Sequence, residues 1–404
     1  MKKIITFLGT GEYKSITYSY ESINIHTRFI QEAISDIIGR DAEIIVGLTR
    51  GAREVNWKEL ESIFINKNIS YRTINIFDGY DNEEIWGNFN LLFEELDEGD
   101  EIYFDVTHSF RSIPLIVMSV LNYGRFIKNI EIKDIYYGAF EAMRDGVAPI
   151  FNLSIFNQIT DWTIGAEKFI NTGDSRQLSS MIDTIIRPIL KETKGKNEDA
   201  QISQKIRKAL EDFSGGLYTV RGNKMSEYGA TLKDALESVK NIDLNGLRPF
   251  EKVLDKIYEK VYFYSDDLVK DIHNTVKLCR DLGLIQQAYT FLRENIVNFL
   301  CIKGDIDIKN TKKRELVETI LLSSHQYKNI VLDHRHKEIE EKIENYVNSE
   351  LAHFFDDLGQ DYRNDINHGG YRQDSKGYKS FEESLDKFIL TFEHLILDDR
   401  VVSK

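Results

Sequence analysis

The feature that most constrains the fold of this chain is a regular alternation of strand-like and helix-like segments over roughly its first 155 residues. Short runs rich in β-branched and aromatic residues are separated by longer segments with helical periodicity. Because parallel strands are joined by right-handed helical crossovers, the alternation predicts a Rossmann-like α/β domain, a parallel sheet with helices on both faces. The strand-like runs are KIITFLG (3–9), EIIVGLT (43–49), ISYRTINIF (69–77), EIYFDVT (101–107) and IKDIYYGAF (132–140).

From about residue 156 the strand signal fades, and amphipathic helical periodicity continues towards the end of the sequence. Breaks rich in Gly, Asn and charged residues separate the helical segments. We therefore predict an α/β domain over 1–155, a helical connector over 156–250 and an all-α domain over 251–404.

Composition narrows the possible partners and compartment. The 52 Lys and Arg are outnumbered by 66 Asp and Glu, for a net charge of −14. Any nucleic acid must therefore bind a local basic groove, since the chain as a whole repels phosphates. Two cysteines, Cys279 and Cys301, cannot build a disulfide scaffold or a Cys-rich zinc site. With no apolar run of the roughly 18 residues that a membrane span needs, we expect a cytoplasmic protein without a membrane partner.

Gly9-Thr10-Gly11 follows the first predicted strand, at the sheet edge where ligands of such domains bind. Glycines allow backbone amides to approach a phosphate or a ribose closely. The dinucleotide fingerprint needs a third Gly where Lys14 stands, and the second strand ends in Thr49-Arg50 instead of an acidic residue, so a nicotinamide dinucleotide is disfavoured. A simple turn without a ligand is the other interpretation of these glycines.

The sequence DVTHSFRS (105–112) follows the fourth predicted strand and opens a helix. Thr107 or Ser109 can cap that helix, while Arg111 and free amides face an anion at its positive end. Arg50, at the end of the neighbouring strand, is a further candidate anion contact. The alternative is a capped helix that carries a surface His and Arg.

Near the carboxyl terminus, Arg363-Asn364 is followed by His368 and by Gly369-Gly370. Five residues turn a helix through about 140°, so Arg363 and His368 reach one site only near a helix end, which the two glycines supply. Metal-free RNA cleavage fits this pair, because His can move a proton or position the 2′-hydroxyl and Arg can stabilise charge on the phosphate. A solvated polar loop is the alternative.

Other polar clusters are weaker candidates. His334 and His336 lack the spacing of a helical zinc pair and predict a solvated turn. Arg293-Glu294 places a charge near the active site or forms an ion pair. The basic patch over 309–314 either steers RNA or is a solvated face.

FLGTGEY (7–13) together with DVTHSFRS resembles the nucleotide-sensing CARF domain of CRISPR-associated proteins with the DxTHG motif. Ser109 stands where that motif has Gly. Arg363 to His368 resembles the R-polar-x3-H signature of HEPN ribonucleases. The resemblance spans roughly 1–155 and 250–404.

The resemblance implies a homodimer that binds a cyclic oligoadenylate, with a tetra-adenylate favoured over a hexa-adenylate, made by a type III CRISPR effector. The cyclic oligoadenylate would be an allosteric activator that switches on cleavage of single-stranded RNA in the paired HEPN domains. The resemblance implies that this cleavage uses no cofactor and no metal. Whether the sensor also degrades its activator stays open. The resemblance implies that Arg363 and His368 of both chains are catalytic, supported by Asn364. The candidate ligand-binding residues are Gly9, Thr10, Gly11, Arg50, Asp105, Thr107, His108, Ser109 and Arg111.

Two other classes of function compete with this hypothesis. The first is a nucleotide sensor whose helical domain is catalytically inactive and only contacts a partner or regulates transcription. The second is a nucleotide-dependent oxidoreductase, which the missing third glycine disfavours.

Overall fold

The structure, a computed structural model, describes residues 1–108, 112–239, 248–326 and 334–398. The chain divides into two compact units, Met1–Gln158 and Ile159–Lys404. The first unit contains the sheet and the second is helical, which confirms an α/β part followed by an α part. The further division of the helical part at residue 250 stays a prediction.

The described residues of the first unit form an eight-stranded sheet in the order β3-β2-β8-β7-β6-β1-β4-β5. The predicted strands are confirmed as β1, β4, β5, β6 and β7, and each is parallel to its neighbours within that set. The strands are β1 Lys2–Leu8, β2 Ile16–Tyr20, β3 Ile23–Thr27, β4 Glu43–Leu48, β5 Tyr71–Asn75, β6 Glu101–Asp105, β7 Glu131–Gly138 and β8 Val147–Asn152.

The prediction of a purely parallel sheet is wrong. β8 is antiparallel to β7, β2 is parallel to β8, and β3 is antiparallel to β2, so the sheet is mixed. Residues 23–27, which precede the first helix, form β3, so that helix begins only at Ile30. The β2–β3 turn at Glu21-Ser22 lacks the Asn-Gly or Asp-Gly pair that marks a tight hairpin, although Glu21 adopts a positive φ of 50°.

Helices cover both faces of the sheet, as the alternating pattern predicts. Alternate residues of β1 enter opposite cores: Ile4 and Leu8 pack on one face, and Ile5 and Phe7 on the other. The helices of this unit are α1 Ile30–Ile38, α2 Arg50–Ala52, α3 Lys58–Asn66, α4 Asn82–Glu94 and α5 Ile113–Lys128, with a π-helical segment at Arg53–Trp57 between α2 and α3.

The second unit is built from helices around a continuous apolar core. The first of these helices, α6 Ser154–Thr172, begins in the first unit and continues into the second. The other helical segments are α7 Arg176–Glu192, α8 Glu198–Tyr218, α9 Gly222–Glu237, α10 Arg248–Tyr258, α11 Leu268–Asp281, α12 Ile285–Lys303, α13 Thr311–Gln326, α14 His334–Ile343, α15 Ser349–Asp356, α16 Asn364–Asn367 and α17 Tyr378–Phe392. π-helical segments follow α15 at Asp357–Arg363 and α17 at Glu393–Leu397.

Short polar side chains fix several helix starts. Asp81 accepts a hydrogen bond from the Glu84 amide at 2.9 Å at the start of α4, and Asn197 accepts one from the Ala200 amide at 2.8 Å before α8. Such caps satisfy amides that have no partner within the helix, so the sequence itself marks these boundaries.

In the described part of the chain, none of the helices is long and apolar enough to cross a membrane.

Two glycines of the helical unit provide a test of its packing. A Cβ on buried Gly229 in α9 would lie 2.3 Å from the Tyr264 ring, whereas a Cβ on exposed Gly215 in α8 meets nothing within 4 Å. Tyr264 cannot retreat easily, because it is 1% exposed. We expect Gly229→Ala to lower the free energy of unfolding by about 1–3 kcal/mol. Gly215→Ala should raise it by roughly 0.5–1 kcal/mol through helix propensity.

Urea unfolding of both variants measures the difference. Equal stability of the two variants would contradict this packing of α9 against Tyr264.

Candidate functional site

A cavity of about 290 Å³ lies at the carboxyl end of the parallel strands. Because β1 pairs with both β4 and β6, the loops that follow these strands are neighbours. This is the sheet edge at which parallel α/β domains bind ligands. The cavity is lined by Phe7, Leu8, Gly9, Thr10, Gly11, Tyr13, Thr49, Ile76, Thr107, His108 and Ile113.

The loop after β1 is held by side chains from elsewhere in the unit. The Gly9 amide donates to the Tyr13 hydroxyl at 2.8 Å. Asn56, on the π-helical segment Arg53–Trp57, donates from Nδ2 to the carbonyls of Gly9 and Gly11, both at 2.9 Å. A Cβ at position 9 would lie 2.9 Å from the Tyr13 hydroxyl oxygen, so this close approach favours glycine.

Asp105 lies beneath the cavity, fully buried, and is not one of its lining residues. Its carboxylate accepts hydrogen bonds from the Thr6 hydroxyl at 2.6 Å and from the Thr107 amide at 3.0 Å. The Thr107 hydroxyl oxygen in turn accepts from the Gly138 amide at 2.8 Å. Burial raises the pKa of the Asp105 carboxyl above its ordinary value of 3.8, although these hydrogen bonds oppose the shift.

His108 forms part of the cavity wall. Its ring packs against the Tyr13 ring with centroids 4.4 Å apart. Burial lowers the pKa of His108 below 6.5, against the opposing field of Asp105, which favours the neutral imidazole near pH 7. Its Nε2 is buried and has no hydrogen-bond partner among the described residues, so a polar atom on the wall is left for a ligand.

The candidate ligand-binding residues therefore fall into several groups. Gly9, Thr10, Gly11, Thr107 and His108 line the cavity, and buried Asp105 holds the amide of the lining residue Thr107. The Arg50 side chain is 91% exposed, pairs with Glu54 at 3.1 Å and does not line the cavity. Ser109 and Arg111 lie outside the described residues.

Sequence reasoning missed Tyr13 and Asn56. Tyr13 stands two residues after Gly11, so an aromatic residue this close to the glycine turn is a usable signal. Asn56 is 3% exposed and lies 45 residues beyond Gly11 in sequence, within a segment whose polar residues predict only a helix surface.

Arg363 and Asn364 lie where the π-helical segment Asp357–Arg363 passes into α16. Gly369 and Gly370 have φ of 66° and 72° and end this helix, which confirms the predicted helix end. Arg363 is half-buried, and its Nε is buried without a partner among the described residues. Its Nη1 donates to Asn364 Oδ1 at 3.4 Å.

His368 is exposed at the end of α16, and its amide donates to the Asn364 carbonyl at 2.9 Å. The turn that follows is tied down by Asp365, which is 2% exposed. The Asp365 carboxylate accepts from the Lys376 amide at 2.7 Å, and its carbonyl accepts from the Gly370 amide at 3.0 Å. The main chain around His368 is therefore fixed, while its imidazole faces solvent.

Arg293 forms ion pairs, which was one of its two predicted roles. It contacts Glu318 at 2.8 Å and Glu294 at 3.2 Å, and its guanidinium lies 4.7 Å from the Phe355 ring centroid. Arg314 belongs to the same network, because it contacts Glu294 at 2.7 Å.

The solvated turn predicted for His334 and His336 is wrong, because these residues begin helix α14. Lys312 and Lys313 lie in the first turn of α13. Within the described ranges, no three His, Cys, Asp or Glu side chains are grouped as metal ligands would be.

Comparison with known proteins indicates the class. A family model described as "CRISPR-associated protein MJ1674, second domain" matches residues 158–262, from the end of the first unit to just beyond α10. CRISPR-associated protein MJ1674 of Methanocaldococcus jannaschii is 33% identical over 227 residues, which cover 55% of this chain and 33% of that protein. The chain thus matches about a third of that relative's length. Both likenesses support the predicted relation to CRISPR-associated proteins.

The buried Asp105 carboxyl predicts a specific pH dependence of stability. Because the pKa of Asp105 is raised in the folded state, the folded protein binds this proton more tightly than the unfolded chain does. Its stabilising contribution is fully present below the unfolded pKa of about 3.8 and is lost as the pH rises through the raised pKa. We expect wild-type protein to gain stability relative to Asp105→Asn as the pH is lowered from 8 towards 4, measured by urea unfolding.

Asp97 is the control of opposite sign. Its pKa is lowered by Lys3, so wild-type protein should lose stability relative to Asp97→Asn as the pH falls below about 4. A flat or inverted profile for Asp105→Asn would contradict the burial of Asp105.

Asp105→Ala should lower the free energy of unfolding by about 1–3 kcal/mol at any pH, because it leaves buried donors unpaired.

Proposed function

We propose that this protein is an endoribonuclease of CRISPR defence that cleaves single-stranded RNA without a metal ion and is activated by a cyclic oligoadenylate. The observation that carries the proposal is the cavity at the strand ends, where the glycine turn and the Thr107-His108 loop meet. The Arg363–His368 motif at a helix end and the likeness to CRISPR-associated proteins support it.

The cavity chemistry suits a nucleotide anion. Main-chain amides of Thr10 and Gly11 are available at an exposed turn, and the buried Nε2 of His108 can bond a polar group of the ligand. No carboxylate lines the cavity in the described residues, and burial, which raises the pKa of the Asp105 carboxyl behind Thr107, reduces the negative charge that would oppose a phosphodiester there.

The size of the cavity supports a homodimer. At about 290 Å³ it lies at the lower end of the range for a single small ligand, far below the needs of a ring of four nucleotides. A twofold arrangement would offer the same loops twice to a cyclic ligand with repeated phosphates. We therefore propose that two copies share one ring, with a tetra-adenylate favoured.

In the proposed cleavage step, the RNA 2′-hydroxyl attacks the adjacent phosphorus. His368 takes the 2′-proton or positions the hydroxyl, and Arg363 stabilises the negative charge that develops on the phosphoryl oxygens. The phosphorus–O5′ bond breaks, the leaving O5′ takes a proton from the protonated His368 or from water, and the products are a 2′,3′-cyclic phosphate and a 5′-hydroxyl. Asn364 supports the Arg363 guanidinium through its Oδ1.

Activation requires that the ligand bind the competent dimer more tightly than the idle one. A differential of about 1–3 kcal/mol, or roughly 5- to 150-fold, is typical of such coupling. The helical segment over 156–250 is the proposed connector between the sensor and nuclease parts.

Two substitutions test the catalytic assignment. His368→Ala and Arg363→Ala should each reduce activator-dependent cleavage by about 10²- to 10³-fold, because each removes proton transfer or charge stabilisation in the transition state. Cleavage of a fluorescent single-stranded RNA is measured in EDTA, with and without cyclic tetra-adenylate. His353→Ala, an exposed histidine in the same unit, should retain wild-type activity.

Direct binding of cyclic tetra-adenylate and cyclic hexa-adenylate, measured by calorimetry, separates the alternatives. Tight binding without cleavage in wild-type protein would favour a sensor with an inactive helical domain. Full activity of either catalytic variant would refute the proposed nuclease site.

A further inference from the structure

The loop between β1 and β2 has an unusual division of its hydrogen-bonding groups. Its carbonyls at Gly9 and Gly11 are occupied by Asn56 Nδ2, and the Tyr13 carbonyl accepts from Arg28 Nε at 2.8 Å. The Gly9 amide is also occupied, by the Tyr13 hydroxyl. The amides of Thr10 and Gly11, in contrast, donate to no acceptor in the described residues.

This division sets the polarity of the turn. A glycine turn that is free to rotate can present either carbonyls or amides to a neighbouring group. Here the carbonyl dipoles at positions 9 and 11 are directed at a side chain, and the amides between them stay exposed beside the cavity. Successive free amides form a concavity that binds anions. The free amides of the turn can therefore donate hydrogen bonds to a phosphate.

Asn56 is well suited to hold this arrangement. It is 3% exposed and lies on a π-helical segment, where the wider turn displaces side chains from their α-helical positions. A buried amide that makes two hydrogen bonds has little freedom to release either carbonyl, because each broken bond would leave a buried polar group unpaired.

We infer that Asn56 is a positioning residue that fixes the Gly9–Tyr13 turn with its amides towards the cavity and so sets the affinity for an anionic phosphodiester ligand. Asn56 itself does not line the cavity, so it acts through the turn. The inference deepens the proposed function, since the ligand class is the one proposed for this site.

The first measurement needs no ligand. Hydrogen exchange of peptides that cover 9–13, followed by mass spectrometry, reports on the Gly9 amide, because the amides of Thr10 and Gly11 are already free. Exchange at Gly9 should be about tenfold faster in Asn56→Ala, because the turn that holds this amide against Tyr13 loses two hydrogen bonds. Tyr13→Phe is a milder second variant, since it keeps the ring beside His108 and removes only the acceptor of the Gly9 amide. It should accelerate exchange in the same segment.

Asn88→Ala is the matched control. Asn88 is also a buried asparagine of the first unit, and it braces the Phe77 main chain by accepting at 2.8 Å and donating at 3.0 Å. Its loss should destabilise the unit without changing exchange over 9–13. Unchanged exchange in Asn56→Ala, or equal acceleration in Asn88→Ala, would overturn the inference.

The second measurement uses cyclic tetra-adenylate as the probe. In Asn56→Ala the half-activating concentration should rise about tenfold, while the maximal RNA cleavage rate at saturating activator stays at the wild-type value. A reduced maximal rate with unchanged half-activating concentration would contradict a role in ligand affinity.

The two proposals fail in distinguishable ways. If wild-type protein binds neither cyclic tetra-adenylate nor AMP by calorimetry while exchange over 9–13 accelerates in Asn56→Ala, the proposed activator is wrong and the hydrogen-bonding role of Asn56 is supported. If the activator binds wild-type protein and Asn56→Ala equally, the inference is wrong and the proposed function stands.

Discussion

Asp105 lies fully buried at the end of β6 and accepts hydrogen bonds from Thr6 on the neighbouring strand β1 and from the amide of Thr107 in the following loop. A buried carboxylate without such partners would be costly, so the strand ends must stay in this register to satisfy it. The Thr107 hydroxyl extends the connection to β7 through the Gly138 amide. These hydrogen bonds therefore hold the start of the loop that carries His108, and this loop forms part of the cavity wall.

The same logic of satisfied main-chain groups applies at both candidate sites. In the first unit, Asn56 and Arg28 occupy carbonyls of the turn beside the cavity. In the second, Asp365 holds the turn after α16, next to His368. Each site also adjoins a π-helical segment, a geometry that is rare in proteins and frequent at functional positions. In both cases hydrogen-bonded main-chain groups fix the backbone beside the polar side chains of the candidate site.

Much of the fold could be predicted because its signals are local. The β-branched runs that form β1, β4, β5, β6 and β7 are continuous in sequence. Gly369-Gly370 marks a helix end, because both residues adopt positive φ values that glycine tolerates. The hairpin β2–β3 could not be found in this way, because Glu21-Ser22 adopts a tight turn without the residues that normally announce one.

The cavity lining was predictable in part, for a similar reason. Gly9, Thr107 and His108 follow strands directly, so topology brings them together. Asn56 depends on a contact between segments far apart in sequence, which no periodicity reveals. Asp105 and Arg50 show the opposite difficulty: both follow the pattern of strand-end polar residues, but one is buried below the cavity and the other faces solvent.

The hairpin also has a consequence for how copies of this chain could associate. β3 forms one margin of the sheet and is only five residues long, with Ile23, Asn24 and His26 exposed. Short, polar margins are poor templates for the addition of a foreign strand. The short length of β3 and its exposed Asn24 and His26 therefore disfavour the addition of a foreign strand along this margin.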